Sequence, residues 1–343
     1  MTPMITRRAT LIAGLGAGLS LPALHARAQM RSTRFTLDWA FSGASAFAIA
    51  AHRLGYFREE GIDARVNRGF GSGRVPVDIA GGAYDIGFGD FSSMARFAAE
   101  NPSIGMICVM MTFDGLPLVC VSRAGGPIRE PKDLEGRRLA APEGDAGRQI
   151  FPVFAEAAGF DASKVNWISV SPELREPMLV RGQADAITGF VSSAVISLEG
   201  LGVARAQQNI MRYRDFGVPL YSNGVITTRR YAEANPDIVR GIVRGISRGV
   251  QLMVRDPAAA ATTVKEAEPL SDLALETARS RIVVDEMIMT DHVRANGLSA
   301  VVPARLEAGL GILERVYRFP RRPSAAELYT DAYLPARADR LVA

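Results

Sequence analysis

Short apolar runs and longer amphipathic stretches alternate along the first two thirds of the chain. Apolar runs of about four to eight residues, bounded by glycine and polar residues, are typical of buried strands, and the stretches between them have helical spacing. Strands separated by helices predict parallel βαβ units. The first series of predicted elements consists of strands 34–40, 62–67, 84–88 and 104–112 and helices 44–54, 74–81 and 91–100.

A second series of the same kind follows, so the pattern predicts two α/β lobes. Its elements are strands 137–141, 165–170, 184–188 and 209–214 and helices 146–158, 173–181 and 192–200. The apolar segments 116–122 and 224–228 predict two further strands. From residue 231 onward the pattern is helical, with helices predicted at 231–255, 257–266, 271–296 and 303–317.

Residues 81–93 and 181–193 repeat one another without a gap. The identical positions are Gly82, Asp85, Gly89, Ser92 and Ser93 in the first segment and Gly182, Asp185, Gly189, Ser192 and Ser193 in the second. Loops at the carboxyl ends of parallel strands are where such sheets bind ligands. We therefore predict an α/β fold with two lobes, each a mostly parallel sheet flanked by helices, and a ligand cleft between them.

The predicted domain organisation is discontinuous. Residues 29–115 and 229–343 form the first lobe, and residues 116–228 form the second. Connections near 113–118 and 221–229 join the two lobes, and we expect this pair of connections to form a hinge.

The first 28 residues have the features of an export signal. Arg7 and Arg8 form a twin-arginine pattern before an apolar, Gly/Ala-rich run, and Ala26-Arg27-Ala28 has the form of an A-x-A cleavage site. A membrane anchor is the alternative, but the run at 11–24 is shorter than the roughly 20 apolar residues that a spanning helix needs. We therefore expect residues 1–28 to be a twin-arginine signal peptide that directs the protein to the periplasm.

The net charge of the chain is concentrated in this segment. The chain has 343 residues, with 40 Lys and Arg against 36 Asp and Glu, for a net charge of +4. The predicted signal holds Arg7, Arg8 and Arg27 and no acid, so the rest of the chain carries only +1. No stripe of Lys and Arg remains, which argues against binding of nucleic acid.

Few residues of the chain suit catalysis or metal binding. After the predicted signal only His52, His292 and three lysines remain, and no H-E-x-x-H or C-x-x-C motif occurs. Cys108 and Cys120 lie in apolar, strand-like runs, where we expect small buried thiols, with a disulfide bridge as the alternative. We predict a protein without enzymatic activity, cofactor or metal.

A set of motifs together resembles one protein family. They are Leu37-Asp38-Trp39, the segment from His52 to Asp63, Gly71-Ser72-Gly73, the segment from Tyr84 to Asp90, the segment from Pro131 to Leu139, and the segment from Asn235 to Val239. They are similar to the periplasmic substrate-binding proteins of ABC importers, in particular the nitrate/sulfonate/taurine and thiamine-pyrimidine-precursor group. The resemblance covers essentially the whole chain after the signal. It implies a type II-like fold that closes on a small molecule, a monomer, and an ABC permease in the inner membrane as partner.

The candidate ligand-binding residues of the first lobe follow or end predicted strands. They are Trp39, Phe41, Ser42, Gly71, Ser72, Asp90 and Phe91. The resemblance implies that Trp39 stacks on the ligand, because the family's pyrimidine binders have an aromatic there; a core tryptophan is the alternative. The loop at Gly71 and Ser72 opens a helix whose amides suit an anionic group, or is a simple turn. Asp90 either caps the next helix or accepts a hydrogen bond from a ligand amino group.

The candidates of the second lobe occupy the matching places. They are Glu143, Asp145, Arg148, Phe190 and Tyr221. The two acids argue against a multiply charged anion as ligand. We expect Arg148 to offset one acid or to meet a ligand carboxylate, and Phe190 to stack opposite Trp39. Arg175 begins a predicted helix, and the pattern leaves open whether it faces into the cleft.

These candidate residues are aromatic and acidic, with few bases, and this chemistry fits a neutral or weakly basic heteroaromatic molecule. We predict an extracytoplasmic protein that delivers a small, planar, pyrimidine-like molecule to an ABC importer. The alternative ligands are an aromatic carboxylate and an alkyl sulfonate. The alternative classes are a ligand sensor subunit and an enzyme like the eukaryotic relatives that make the thiamine pyrimidine. That enzyme resemblance requires a histidine and a pyridoxal-binding lysine, and neither residue type falls in a predicted cleft loop.

Overall fold

The structure is a computed structural model that describes residues 30–342. This part of the chain contains two five-stranded sheets. The predicted signal peptide at 1–28 lies outside the described residues. The strands are β1 (Arg31–Thr36), β2 (Ile62–Asn67), β3 (Ile86–Asp90), β4 (Met106–Met111), β5 (Leu118–Arg123), β6 (Arg138–Ala141), β7 (Asn166–Ser169), β8 (Ala186–Phe190), β9 (Gln208–Arg212) and β10 (Asn223–Thr228).

The two sheets have the same topology. The first has the strand order β2-β1-β3-β10-β4 and the second β7-β6-β8-β5-β9. In each sheet three strands pair in parallel, and one strand that comes from the other lobe inserts antiparallel next to them. The predicted fold class of two α/β lobes with mostly parallel sheets is therefore confirmed, with β5 and β10 as the antiparallel exceptions.

The position of β10 corrects one predicted boundary. The predicted boundary at residue 228 places residues 223–228 in the second lobe. The structure pairs them with β3 and β4 in the first sheet. The second sheet is thus complete within residues 118–212, and the chain returns to the first lobe at β10.

Helices cover both faces of the sheets. They are α1 (Ala46–Arg53), α2 (Tyr56–Glu59), α3 (Val75–Ala80), α4 (Phe91–Glu100), α5 (Ala146–Gln149), α6 (Phe151–Ala158), α7 (Arg175–Val180), α8 (Ile196–Gly200), α9 (Arg229–Ala234), α10 (Pro236–Arg255), α11 (Pro257–Ala267), α12 (Leu273–Val283), α13 (Asp291–Asn296), α14 (Pro303–Tyr317) and α15 (Ala325–Leu328). Helices α10 and α11 pack on α1 of the first lobe. Among residues 30–342, no helix combines the length and the apolar character needed to cross a membrane.

Several predicted helices are shorter in the structure because local signals divide them. The predicted helix 231–255 breaks at Asn235, since the residue before Pro236 is disfavoured in the helical region. The predicted helix 271–296 ends in a π-helical turn, and Thr290 then caps α13 by accepting from the Val293 amide. The strand predicted at 34–40 ends at Thr36, so Trp39 follows β1 instead of ending it.

Asp85 and Asp185, the two aspartates of the sequence repeat, have a structural role. In the first lobe the Asp85 carboxylate accepts from the Arg34 backbone amide at 2.8 Å and from its guanidinium at 2.6 Å. In the second lobe Asp185 makes the same contacts with Arg138, at 2.9 and 2.8 Å. Each aspartate therefore ties the chain that enters β3 or β8 to the neighbouring parallel strand, at the edge opposite the ligand cleft.

A single arginine holds both connections between the lobes. Arg305, on α14, donates to the Asp114 carboxylate at 3.1 Å and to its carbonyl at 2.7 Å on the first connection. It also donates to the carbonyls of Pro219 and Leu220 on the second connection, at 3.2 and 3.1 Å. Its guanidinium lies 3.9 Å from the centre of the Tyr221 ring. Both connections between the lobes are therefore hydrogen-bonded to the Arg305 side chain.

Candidate functional site

A cavity lies between the lobes, at the carboxyl ends of the parallel strands. Its volume is about 20 Å³, which is room for about one water molecule. The first lobe contributes Asp38, Trp39, Ala44 and Ser72, and the second contributes Asp145, Arg175, Phe190, Ser192 and Ser193. We call this space the inner cavity. Its location is the one where open α/β sheets bind ligands.

The loop after β1 brings Asp38 and Trp39 into the inner cavity. The Gly71 amide donates to the Asp38 carbonyl and the Gly69 amide to the Trp39 carbonyl, both at 2.9 Å. Glycine is required at position 69, because a Cβ there would lie 2.1 Å from the Leu37 carbonyl oxygen. The loop between β2 and α3 therefore fixes the backbone that presents both side chains.

The Asp38 carboxyl is nearly enclosed by protein. Its residue is 8% exposed, and the Asn223 amide donates to Oδ2 at 2.9 Å. Burial raises the pKa of Asp38 to about 7, although hydrogen bonds from the backbone and Asn223 oppose the shift. The group therefore gains or loses a proton near neutral pH.

Asp90 caps α4, which is one of the two roles expected for it. Its Oδ1 accepts from the Ser93 amide at 2.7 Å, and its own amide donates to the Ser72 carbonyl at 3.2 Å. Burial raises the pKa of Asp90 to about 6, with a smaller contribution from Asp145 and an opposing one from Ser93. Its Oδ2 is buried and has no hydrogen-bond partner among the described residues.

Arg175 is the largest fully buried side chain of the second lobe, and it is 1% exposed. It donates to Asp145 at 3.1 Å, to Glu176 at 3.1 and 2.6 Å, and to Ser193 at 3.2 Å. Its guanidinium carbon lies over the Trp39 ring of the other lobe, 4.8 Å from the centroid. These four hydrogen bonds use four of the five donors of the guanidinium.

Gly189, in the second of the two repeated segments, leaves room for the Arg175 side chain. A Cβ on Gly189 would lie 2.5 Å from Nη1 of Arg175, so a side chain at this position is incompatible with the observed arginine. Ser192 and Ser193 sit in a π-helical turn (Val191–Val195) and line the inner cavity. The Ser192 hydroxyl is buried and unpaired within residues 30–342. π-helical turns often occur at functional sites.

A wider opening, with a volume of about 390 Å³, adjoins the inner cavity at Trp39. We call it the outer groove; its lining residues include Trp39, Phe41, Ser42, Glu173, Glu176 and Arg279. Arg68 and Glu173 form a 2.6 Å ion pair across its mouth, from one lobe to the other. Arg279 on α12 donates to the carbonyls of Ser192 and Ser193, at 2.9 and 3.3 Å. Trp39 thus separates an enclosed space from an open one.

The structure brings many of the predicted site residues to this cleft. Trp39, Ser72, Asp145 and Phe190 line the inner cavity, and Phe41 and Ser42 line the outer groove. Gly71 lies where the lobes meet: a Cβ there would be 2.2 Å from the Gly144 carbonyl oxygen. Asp90 lies directly behind Ser72, as described above.

Arg148, Phe91 and Tyr221 lie elsewhere, and the prediction that they share the cleft is corrected, whereas Glu143 lines another opening between the lobes, together with Phe70 and Arg74. Arg148 donates to the Ala141 carbonyl and to Ser169, and its guanidinium lies 5.0 Å from the centre of the Trp167 ring. Glu143 is exposed and accepts from Ser169 at 3.2 Å. Phe91 and Tyr221 line a separate small cavity, of about 10 Å³, beside the hinge. A residue next to a strand end can point to either side of the loop, and the sequence does not fix which.

Sequence reasoning missed several residues of the inner cavity. Ser192 and Ser193 carry a signal, because they belong to the repeat. Asp38 is adjacent to the predicted Trp39 and was interpreted as a loop cap. Arg175 has no such signal, since its direction depends on how α7 packs.

Residues with potential for catalysis lie away from the cleft. His52 is exposed on α1, and the ring of His292 contacts the Ala300 carbonyl. A G-x-S-x-G spacing occurs at 245–249, but it lies in the middle of α10, where Ser247 is buried and donates to the Val243 carbonyl. In the described part of the chain no cluster of three or more His, Cys, Asp and Glu residues could hold a metal ion.

The two cysteines are free and buried. Cys108 lies in β4 of the first sheet and Cys120 in β5 of the second. Burial raises the pKa of both thiols, to about 12 for Cys108. The alternative of a disulfide bridge is therefore wrong, and the interpretation as small buried thiols is confirmed.

Two similar α/β lobes that enclose a polar and aromatic cavity at their strand ends have the fold of a periplasmic binding protein. Comparison with protein families identifies the group. Residues 43–260 match the family described as NMT1/THI5 like, and the chain belongs to this family.

Individual relatives agree with this assignment. A formylaminopyrimidine-binding protein of Halalkalibacterium halodurans is 27% identical over 237 residues, which cover 67% of this chain and 69% of the relative. The alkanesulfonate-binding protein SsuA from Xanthomonas axonopodis pv. citri, bound to MOPS, has a TM-score of 0.69 at 16% identity, with 88% of this chain and 99% of that chain covered. The periplasmic nitrate-binding protein NrtA from Synechocystis has a TM-score of 0.65 at 10% identity, with coverages of 89% and 87%.

The family resemblance and the fold class predicted from the sequence are thus confirmed. The relatives and the fold are those of solute-binding proteins and not of enzymes.

Proposed function

We propose that this protein is an extracytoplasmic solute-binding protein that delivers a small, planar, pyrimidine-like heteroaromatic molecule to an ABC importer. One observation carries the choice of ligand: the inner cavity combines the Trp39 ring with a surplus of hydrogen-bond acceptors. The name of the formylaminopyrimidine-binding relative is in line with this chemistry. The predicted signal peptide and the periplasmic binding protein fold support a location in the periplasm, with a monomer acting on a permease in the inner membrane.

The arginine of the cavity is a poor anchor for an anion. Four of its five donors are held by Asp145, Glu176 and Ser193. Arg148, the residue expected to hold a ligand carboxylate, donates to Ala141 and Ser169 and stacks on Trp167 instead. An alkyl sulfonate or an aromatic carboxylate would therefore enter a space that holds more acids than available bases. This arrangement disfavours both alternative ligands.

The acceptors of the site suit amino groups on a heteroaromatic ring. Asp38 and Ser192 line the cavity, and the hydroxyl of Ser192 is buried without a partner among residues 30–342. A buried polar atom without a partner costs about 1–3 kcal/mol, and a ligand N–H that reaches it recovers this free energy. A ring with an amino group and a hydrogen-bonding ring nitrogen offers such groups in one plane.

Thermal-shift measurements on the protein without residues 1–28 test the ligand class. The probes are 4-amino-2-methylpyrimidine, benzoate and ethanesulfonate, each at the same concentration and at pH 7.5. A ligand at 100 times its dissociation constant stabilises the folded state by about 2.7 kcal/mol, and we expect the aminopyrimidine to give the largest shift. Stabilisation by benzoate or ethanesulfonate alone would contradict the proposed ligand class.

Delivery to an importer is tested in cells. Cells that lack this protein should lose uptake of the compound identified in the thermal-shift measurements, and cells that lack the partner permease should lose it equally. Unchanged uptake in the first strain would contradict a transport role and favour the sensor alternative.

A further inference from the structure

The guanidinium of Arg175 and the ring of Trp39 face each other across the cleft. The distance from the guanidinium carbon to the ring centroid is 4.8 Å. Planar groups in contact lie about 3.5–4.0 Å apart, so a third planar ring between these two needs a separation of about 7 Å. A ring that stacks on this face of Trp39 therefore requires the two lobes to move apart by about 2 Å at this point.

Arg175 is held so firmly that it moves with its own lobe. Asp145 and Glu176 accept hydrogen bonds from it, Ser193 accepts another from the same Nη2 group that donates to Glu176, and Gly189 provides the space that the guanidinium occupies. All four partners belong to the second lobe. When the lobes separate, the arginine stays with these partners and leaves the face of Trp39 open.

We propose that Arg175 is the second stacking surface of the site, and that it makes the protein select a neutral planar ring over a cationic one. This inference rests on the proposed function and specifies the charge of the ligand. The ring lies between Trp39 on one lobe and the guanidinium on the other. A cation is attracted to the face of a neutral aromatic ring, and this attraction is strongest where water is excluded.

A cationic ring in the same place would meet the positive charge of Arg175 at contact distance. Asp38 and Asp145 line the cavity and would attract such a ring, so without the arginine the cavity would favour a cation. Arg175 therefore opposes the attraction that the acids alone would exert. The chain contains a matched arginine for comparison: Arg148 lies over Trp167 at 5.0 Å, within the second lobe and outside the inner cavity.

The test compares 4-amino-2-methylpyrimidine with its N-methylated cation, 4-amino-1,2-dimethylpyrimidinium, by calorimetric titration at pH 8. The wild-type protein should bind the neutral ring at least about tenfold more tightly than the cation. In the double variant Arg175→Met/Glu176→Gln, which removes one charge of each sign, this preference should disappear or reverse. Arg148→Lys, the control, should keep the wild-type preference. An unchanged preference in a folded double variant would overturn the proposal.

A second variant covers the case in which the double variant does not fold. Arg175→Lys keeps the charge next to Asp145 and Glu176 but loses the planar group. It should bind the neutral ring about fivefold or more weakly and still exclude the cation. Wild-type affinity for the neutral ring would overturn a stacking role.

A measurement without ligand separates this inference from the proposed function. The chain has two tryptophans, so Trp167→Phe leaves Trp39 as the only one. In this background Arg175→Lys should raise acrylamide quenching of Trp39, because the contact that covers its ring is lost, whereas Arg148→Lys should not. If neither pyrimidine probe binds, the proposed function fails. Unchanged quenching in Arg175→Lys would overturn the Arg175 inference itself.

Discussion

Asp38 and Trp39 are neighbours in the sequence, and one loop presents both to the inner cavity. Gly69 permits the close approach of this loop, and the amides of Gly69 and Gly71 donate to its two carbonyls. Trp39 is half-buried and lines both the inner cavity and the outer groove, which is unlike a core tryptophan. The two side chains therefore contribute to binding in different ways, Trp39 through its ring and Asp38 through its charge.

Replacement of Trp39 should affect binding more than folding. Trp39→Ala removes the ring on which we expect the ligand to stack, and affinity should fall by about 2 kcal/mol or more, roughly thirtyfold. A fully buried tryptophan would instead cost about 3–5 kcal/mol of stability. Calorimetric titration and urea unfolding measure the two effects. The control Trp167→Ala should lower stability and leave affinity unchanged; unchanged affinity in Trp39→Ala would remove Trp39 from the site.

The raised pKa of Asp38 makes stability depend on pH in a defined direction. The folded protein holds the proton up to about pH 7, whereas the unfolded chain releases it near the usual value of 3.8. The contribution of this group to the free energy of unfolding therefore falls as pH rises from about 4 to 7, by about 4 kcal/mol as an upper bound.

Asp38→Asn removes this dependence and keeps an oxygen that can accept from Asn223. Urea unfolding should show the variant more stable than the wild type at pH 8 and similar to it at pH 4.5. Asp90 titrates in both proteins and cancels in the comparison. Equal effects of the substitution at the two pH values would show that Asp38 does not titrate in this range.

At the scale of elements, the repeat predicts the fold better than the site. Strands and helices alternate clearly enough for both lobes to be recognised, and Asp85 and Asp185 recur because each joins two parallel strands. Helix boundaries were missed where Pro236 or the Thr290 cap divides an apolar pattern. Trp39, Ser72, Asp145 and Phe190 follow or end strands and line the inner cavity, because the topology brings these strand ends together.

The remaining site residues depend on packing that no local pattern encodes. Arg175 begins α7 directly after a short turn. Its orientation into the cavity depends on where Asp145 and Glu176 lie. Phe91 and Tyr221 lie next to strand ends and point to the hinge cavity instead.

The two repeated aspartates should stabilise the lobes equally and leave binding unaffected. Asp85→Ala and Asp185→Ala each remove a carboxylate that accepts from a backbone amide and from a guanidinium, in a partly exposed position. We expect each to lower the free energy of unfolding by about 1–2 kcal/mol. The Arg34 and Arg138 contacts help to hold the pKa of each carboxyl below its usual value, so this stabilisation is lost as pH falls below about 4. A change in ligand affinity in either variant would contradict this structural role.

At the scale of the whole molecule, Arg305 defines how the lobes move. Because Arg305 hydrogen-bonds to both connections, we expect a rotation of one lobe relative to the other to change these hydrogen bonds. Ion pairs of Arg212 and Arg214 with Glu286, at 3.0 and 2.8 Å, join the second lobe to the first on the same side.

Loss of Arg305 should broaden the range of lobe separations. Arg305→Met leaves the carbonyls of Pro219 and Leu220 without this donor, and small-angle scattering should give a larger radius of gyration than for the wild type. Arg321→Met, which removes only an exposed ion pair with Glu327, is the matched control. Identical scattering of Arg305→Met and the wild type would show that the hinge does not depend on this side chain.

The position of β10 also determines the order in which a nascent chain can fold. The strands of the second sheet are contiguous in the sequence, so all of them have left the ribosome once residue 212 has emerged. In the first sheet, β3 and β4 each lack a neighbour until β10 is synthesised, and their backbone groups stay unpaired for that time. Exposed strand edges promote aggregation, and non-local pairing is slow. We therefore expect the N-terminal lobe, although made first, to be the one that completes its sheet last.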